Sequence, residues 1–245
     1  MSTAHLPLWF DAPLQSWGFA SRFQRRTTGM FPTKSGVIGL ICAAMGLAKG
    51  SIEECQKLPQ LAALKLTVWQ FPRLAPRGRN EPLLVQRLED FQTVENTRRA
   101  GNKPNPDPVI TRRQYLLDAR FGLRLTGDCA LLEVIVSAFK NPSWGVWFGR
   151  KSCIPAAPVA VGQPFTSEQE LWQALLRAAA MSPETTEASV ARVEEVDFDS
   201  GTDTFNDQPL SFGTAHSSGL EGRLFAPRRV RVIAETRFAN ENQYI

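Results

Sequence analysis

At 245 residues, with 43% hydrophobic and 21% charged side chains, the chain can bury a core as one large domain or two small ones and has an ordinary globular composition. Its net charge of +4 conceals a division: residues 1–50 carry five basic and one acidic side chain and residues 73–113 nine against five, whereas residues 167–207 carry two against ten. A basic first two-thirds points either to an anionic partner or to a solvated surface with clustered charge. The longest uncharged stretch of the first half, 35–48, is too short to span a bilayer, and no apolar leader opens the chain, so a cytoplasmic protein without a membrane partner is expected.

In chain order, "HLPLWFDAP" reads as a strand ending at a proline turn, and residues 13–33 as a loop rich in Arg, Thr and Gly. "FPTKSGVIGL" then looks like the end of a nucleotide-binding loop. The two glycine positions that such a cradle needs hold Thr28 and Thr33, Gly29 is out of register, and Pro32 removes an N–H, which argues against an ATP or GTP site. Ser35 is instead expected to cap a helix through about Ala48, with Gly50 just beyond it. Lys34 and Ser35 would then sit at a helix N-terminus, where free N–H groups and the dipole attract anions. A second helix starts at Ser51 with a capping box to Glu54.

"LKLTVWQF" alternates as a strand, with Leu64, Leu66 and Val68 on one side and Thr67, Trp69 and Phe71 on the other. The segment 73–111 is rich in Arg, Pro, Asn and Gly and reads as a protruding hairpin built on "LLVQRLEDFQTV". "QYLLDARFGLRLTG" is a strand or bent strand pair, Asp128 caps a helix, and "NPSWGVWFGRKSCIP" is a glycine-rich, aromatic and basic loop. A helix from Ser167 to about Ala180 and strands near "ARVEEVDF" and "RRVRVIAETRF" follow. The order strand, helix, strand, insertion, strand, helix fits an α+β, ferredoxin-like or RNA-recognition-motif-like domain over 1–166 with a thumb insertion at about 73–111, and a small C-terminal subdomain over 167–245.

Cys42, Cys55, Cys129 and Cys153 have no CxxC spacing, and His5 and His216 are the chain's two histidines, so neither a zinc site nor any other cofactor is expected. The acidic residues of 194–207 lack metal-loop spacing and read as a solvated edge or a surface for a basic neighbour. The binding candidates are basic and aromatic. "APLQSWG" presents Gln15, Ser16 and Trp17 beside Arg22, Arg25, Arg26 and Lys34, a set that could stack a base and bind phosphates, unless Trp17 plugs the core and the arginines are solvated. In "WGVWFGRKSC", Gly145 and Gly149 allow close backbone approach, with Arg150 and Lys151 supplying charge. In "ITRRQYLLD", Arg112 and Arg113 open a strand and Tyr115 follows.

Together "PLQSWG", "FPTKSGVIGLICAAMG", "RRQYLLDARF" and "FGRKSCIP", with a basic insertion before the third, resemble the CasD (Cas-five) family of CRISPR Cascade subunits, nearest to its type I-E branch. The resemblance runs from about residue 5 to 166 and is thin beyond, resting there on "LFAPRRVRV". It implies a ferredoxin-like, RAMP-type fold with a thumb, and an antiviral ribonucleoprotein role capping the complex at the crRNA 5′ handle. Under that resemblance Lys34 and Ser35 meet the guide RNA, Gly149, Arg150 and Lys151 line the same groove, and Arg98 and Arg99 of the thumb touch the backbone near the guide and target DNA. The implied protein partners are the repeating backbone subunit and the large target-recognition subunit. One branch of the family also cuts repeat RNA without metal. Here His216 and Tyr115 would be the acid/base candidates, with Lys34 or Lys151 as charge stabilisers, but His216 lies outside the well-matched region, and the expectation is a non-catalytic subunit.

Overall fold

Alternation of large apolar side chains builds the central sheet, and the computed structural model describes it through residues 2–18, 25–74, 82–83, 85–99, 101–213 and 222–233. The candidates Arg22 and His216 lie outside the described residues. In chain order come β1 (Thr3–Asp11), β2 (Leu14–Gln15), β3 (Arg25–Arg26), α1 (Lys34–Met45), α2 (Ile52–Ala62), β4 (Lys65–Phe71), β5 (Arg73–Leu74) and β6 (Pro82–Leu83). Then follow β7 (Gln86–Val94), β8 (Val109–Leu117), β9 (Arg120–Asp128), α3 (Cys129–Lys140), α4 (Glu168–Ala179), β10 (Ala191–Glu195), β11 (Asp203–Ser211) and β12 (Leu224–Ile233).

The main sheet has the order β1-β9-β4-β10-β12-β11, antiparallel throughout. Along the other edge of β1 runs the stretch 159–165, bridged antiparallel at Leu8↔Ala160 and His5↔Phe165. The His5 N–H donates to the Phe165 carbonyl at 2.8 Å and the Trp9 N–H to the Val159 carbonyl at 2.8 Å. That stretch completes the ferredoxin-like arrangement: counting β1, β4, β9 and 159–165 as strands one to four, the spatial order is 4-1-3-2, with α1 and α2 after the first and α3 after the third. The C-terminal strands β10, β12 and β11 extend the same sheet beyond β4.

Period-two patterning sends each strand's apolar residues to two separate cores. Leu6, Leu8 and Phe10 of β1, Leu66 and Val68 of β4, and Phe121, Leu123 and Leu125 of β9 face Val37, Ile38 and Ile41 of α1 and Leu132, Ile135 and Val136 of α3. Trp9, Trp69 and Phe71 face the other way, onto Leu171, Trp172 and Leu175 of α4. Fully burying each Leu or Phe of these layers stabilises by about 1.5–3 kcal/mol. Gly122 lets α4 approach, since a Cβ there would stand 2.6 Å from Phe71 and 3.1 Å from Leu175. The face on which RNA-recognition motifs stack bases is therefore closed by α4, and a nucleic-acid surface has to lie elsewhere.

Three local expectations are corrected. The cap of α1 is Thr33, whose hydroxyl accepts from the Gly36 N–H at 3.2 Å, and the helix stops at Gly46 (φ +73°), so Ser35 and Gly50 are not its caps. The hairpin pairs from Gln86↔Leu117 to Val94↔Val109 and thus takes in Arg112, Arg113 and Tyr115, with the bent strand pair turning at Asp118 (φ +50°). The strands read from the sequence also omit β11 (Asp203–Ser211), in the acidic stretch, for which β12 supplies the ladder partners.

Burial also sorts the thiols. Cys42 and Cys153 are buried, and desolvation raises both, Cys42 to about 12, whereas Cys55 is exposed. Maleimide labelling of the native protein should modify Cys55 first and reach Cys42 and Cys153 only on unfolding, as read by mass spectrometry of tryptic peptides.

Candidate nucleic-acid interface

A groove of about 740 Å³ opens on the α1 side of the molecule. One wall is α1, where Gly36, Gly39 and Ala43 keep the helix surface low; opposite stand Trp144, Trp147 and Arg150 of the glycine-rich loop. Ser16, Trp17, Arg26, Ser35 and Gly149 line it from the sequence-identified candidates, and Lys49, Glu54, Asp207, Arg223 and Phe225 complete it from elements distant in the chain.

Beneath the groove lies a rigid layer. Gln15 is fully buried and its amide donates to the carbonyls of Phe10 at 3.1 Å and Ala119 at 2.7 Å. Its Oε1 accepts from the Trp17 indole N–H at 3.1 Å, and Trp17, 1% exposed, stacks on Phe10 with ring centroids 5.5 Å apart. A Cβ on Gly36 would approach Trp17 to 3.1 Å, so this residue is the support for the α1 wall. Trp17 and Gln15 are therefore structural, and of the two readings open for Trp17 the plug of the core is the one observed. The Ser16 hydroxyl donates to the Gln114 carbonyl at 3.2 Å.

The glycine-rich loop is clasped onto this layer by its main chain. The Ser16 N–H donates to the Phe148 carbonyl at 3.0 Å, and Gly149 adopts φ +99° with its Cα against the Ser16 carbonyl, which a Cβ would overlap. Close approach does require Gly149, but to the chain's own backbone. Arg150 donates to the carbonyls of Gln114 at 2.9 Å and Arg26 at 3.1 Å and lies over the Tyr115 ring at 4.5 Å, tying the loop to β8 and β3. Tyr115 is buried as the floor under that guanidinium, which corrects its candidacy as an accessible acid/base group.

Charge in the groove is net cationic: Arg26, Lys49, Arg150 and Arg223 line it against Glu54 and Asp207, and Asp207 is already bound by Arg228. Arg25 and Arg26 are exposed on β3, which runs parallel to Arg112 and Arg113 of β8. Partial burial and the Arg223 guanidinium hold the Lys49 ammonium below its ordinary value, against Glu54. Such mutual repulsion is relieved by a bound anion.

Lys34 is the main correction. It is 1% exposed, with its ammonium 2.9 Å from Glu195, and it faces away from the groove. Its backbone N–H donates to Asp207 Oδ2 at 2.7 Å, so the helix N-terminus expected to hold a phosphate already holds a carboxylate of the chain. Asp207 in turn receives Arg228 at 2.8 and 2.9 Å, and Glu195 lies 3.7 Å from the same guanidinium. Burial pulls the Lys34 ammonium below the usual lysine range, Glu195 opposing this. Nor is the acidic stretch 194–207 a solvated edge throughout: Glu194 pairs with Arg231, Glu195 with Lys34 and Asp207 with Arg228, whereas Asp197 meets Lys65 in solvent. The chain's own cations pair several of these acids, and the groove keeps four cations against Glu54 and Asp207.

On the hairpin, Arg98 donates to Asn102 at 2.9 Å and Arg99 to Asn105 at 3.2 Å, outside the groove. Arg112 lies 3.6 Å from Glu89 and stacks over Phe91 at 5.5 Å, while Lys151 stands 5.8 Å from the Trp147 ring centroid. Sequence reasoning missed Lys49 and Arg223, which share no motif and meet only through the fold. It also passed over Trp144 and Trp147, for which the W-x-x-W spacing inside a Gly/Arg/Lys loop was an available signal. Among the described residues, no His, Cys, Asp or Glu group of three is placed to hold a metal, and no helix is long and apolar enough to cross a membrane.

Comparison with known proteins agrees with this architecture. Residues 5–231 match the family model described as CRISPR-associated protein (Cas_Cas5). The chain is similar to the CRISPR system Cascade subunit CasD of Escherichia coli strain K12, 29% identical over 164 residues that make up 65% of this chain and 70% of the relative. A solved chain of a CRISPR RNA-guided surveillance complex superposes with a TM-score of 0.66 at 24% identity, over 94% of this chain and 90% of that one. A crystal structure of a Cas protein superposes with a TM-score of 0.55 at 27% identity, over 95% and 96%. With the family model spanning nearly the whole chain and the ferredoxin-like sheet in place, the protein belongs to the CRISPR-associated Cas_Cas5 family.

Proposed function

We propose that this chain is a non-catalytic subunit of a type I-E-like Cascade complex that caps the assembly by holding the crRNA 5′ handle in the α1 groove. The observation that carries this reading is the concentration of Arg26, Lys49, Arg150 and Arg223 around one groove, where the acids are Glu54 and Asp207 and the latter is already paired with Arg228. The likeness to a Cascade subunit of Escherichia coli supports the setting. Phosphates would sit on the arginines, whose planar forks suit them better than an ammonium does. The hairpin β7–β8, with Arg98, Arg99, Arg112 and Arg113, would lie along the guide near the neighbouring backbone and large subunits and the target strand.

Salt dependence tests the reading. Each phosphate engaged adds about 0.7 to the slope of log affinity against log salt, so four groove cations give a slope near −3. Arg26→Glu, a change on an exposed side chain, should weaken binding of repeat RNA and reduce that slope by about 0.7 or more. Filter binding in EDTA, with the same samples run on a denaturing gel, reads both affinity and integrity. Affinity indifferent to salt and to Arg26→Glu would remove the groove from the proposal, and discrete cutting of the RNA would remove "non-catalytic" from it.

A further inference from the structure

The glycine-rich loop carries two tryptophans that the fold leaves uncovered. Trp144 is 46% exposed and Trp147 37%, and both line the basic groove. The chain's four other tryptophans are at most 6% exposed and are packed in the two cores. Neither loop indole stacks on another aromatic ring among the described residues. Leaving two of the largest apolar side chains half in water is unfavourable unless something covers them.

We propose that Trp147, with Trp144 beside it, is a stacking platform for unpaired nucleobases of the strand held in the groove. The inference rests on the groove reading above and adds to it a base-contacting subsite. Trp147 is preset for the task. The bare backbone of Gly145 packs against the indole so closely that a Cβ there would overlap the ring, and Lys151 stands 5.8 Å from its centroid. An orientation fixed before binding leaves little side-chain entropy to lose on stacking. Arg26 and Arg150 share the groove with it, so a nucleotide can place its base on the indole and its phosphate on a guanidinium. A protein partner would be met by an apolar centre with a polar rim. Here four cations stand among the rings against Glu54 and an Asp207 already paired with Arg228, which favours nucleic acid. Stacking accepts any base, so the subsite would grip the strand without reading its sequence.

Because the other indoles are buried, fluorescence quenching reports these two. The test uses the full chain, a single-stranded RNA octamer and an octamer of the same length with abasic positions. The RNA should quench the emission and shield it from acrylamide, and the abasic strand should bind more weakly without quenching. Trp147→Leu should lower affinity for the RNA by roughly 5- to 150-fold while leaving that for the abasic strand unchanged. The acrylamide readout needs no variant, so misfolding of Trp147→Leu could not hide the answer. Salt-sensitive binding with no quenching, and with equal affinity in Trp147→Leu, would overturn the stacking platform and leave the groove reading standing. Absence of RNA binding would overturn both. Shielding brought about by another complex subunit but not by RNA would show the tryptophans to be a protein interface instead.

Discussion

Asp207→Ala should lower the stability of the protein by about 3–5 kcal/mol, the usual cost of removing one partner from a buried ion pair. For a chain of this length that corresponds to a fall in Tm of about 6–20 °C. The size follows from what the substitution strands. Arg228, whose side chain is 4% exposed, loses a bidentate partner at 2.8 and 2.9 Å and retains Glu195 at 3.7 Å. The Lys34 N–H at the start of α1 loses its acceptor as well. Lys34→Met should cost less, since Glu195 keeps both Arg228 and the Leu66 N–H at 3.1 Å, and Lys34 itself is held against desolvation. It should also leave the salt slope of RNA binding unchanged, whereas a lysine touching phosphate would reduce it by about 0.7. Thermal melts and filter binding on the two variants decide the matter. An Asp207→Ala protein as stable as its parent would show the network to be dispensable, and a shallower slope in Lys34→Met would restore Lys34 to the RNA surface.

The same four residues show where sequence reading stops. β1, β4, β9, α3 and α4 were legible because each carries its core face at a regular period, and the glycine-rich loop because composition alone marks it. Lys34 beside Ser35 at a helix start has the local signature of an anion site, and the helix is there. What occupies that N-terminus comes from Asp207, 173 residues away, and what pairs the ammonium comes from Glu195. No local pattern specifies such a meeting, and a run of acidic residues shows its charge but not its partners. Trp17 and Tyr115 show the same limit: an aromatic beside arginines can be a platform or a floor, and burial, which depends on the whole fold, decides for the floor in both. Arg26 and Arg150 remained in the groove because each is tethered to backbone or strand while its charge still lines the opening.

Gly149→Ala should destabilise the protein by about 2–6 kcal/mol and displace the loop that forms one wall of the groove. Backbone strain at φ +99° contributes about 1–3 kcal/mol for any residue with a Cβ. A similar amount follows if the Cβ, which would overlap the Ser16 carbonyl, pushes the loop away from Ser16 and leaves the Ser16 N–H without the Phe148 carbonyl it meets at 3.0 Å. Gly101→Ala is the control: its φ of +87° is equally unfavourable, but nothing lies within 4 Å of the added carbon, so its cost should stay near the strain contribution alone. Melting temperatures of the two variants separate strain from collision. RNA affinity then connects stability to the site, because Trp147 and Arg150 flank Gly149 and are positioned by the same clasp. If Gly149→Ala melts well below Gly101→Ala and also loses RNA affinity, the contact between the loop and Ser16 is what sets the groove wall. If it melts lower but binds as tightly, the strand is held by α1 and β3, and the glycine-rich loop serves the fold alone.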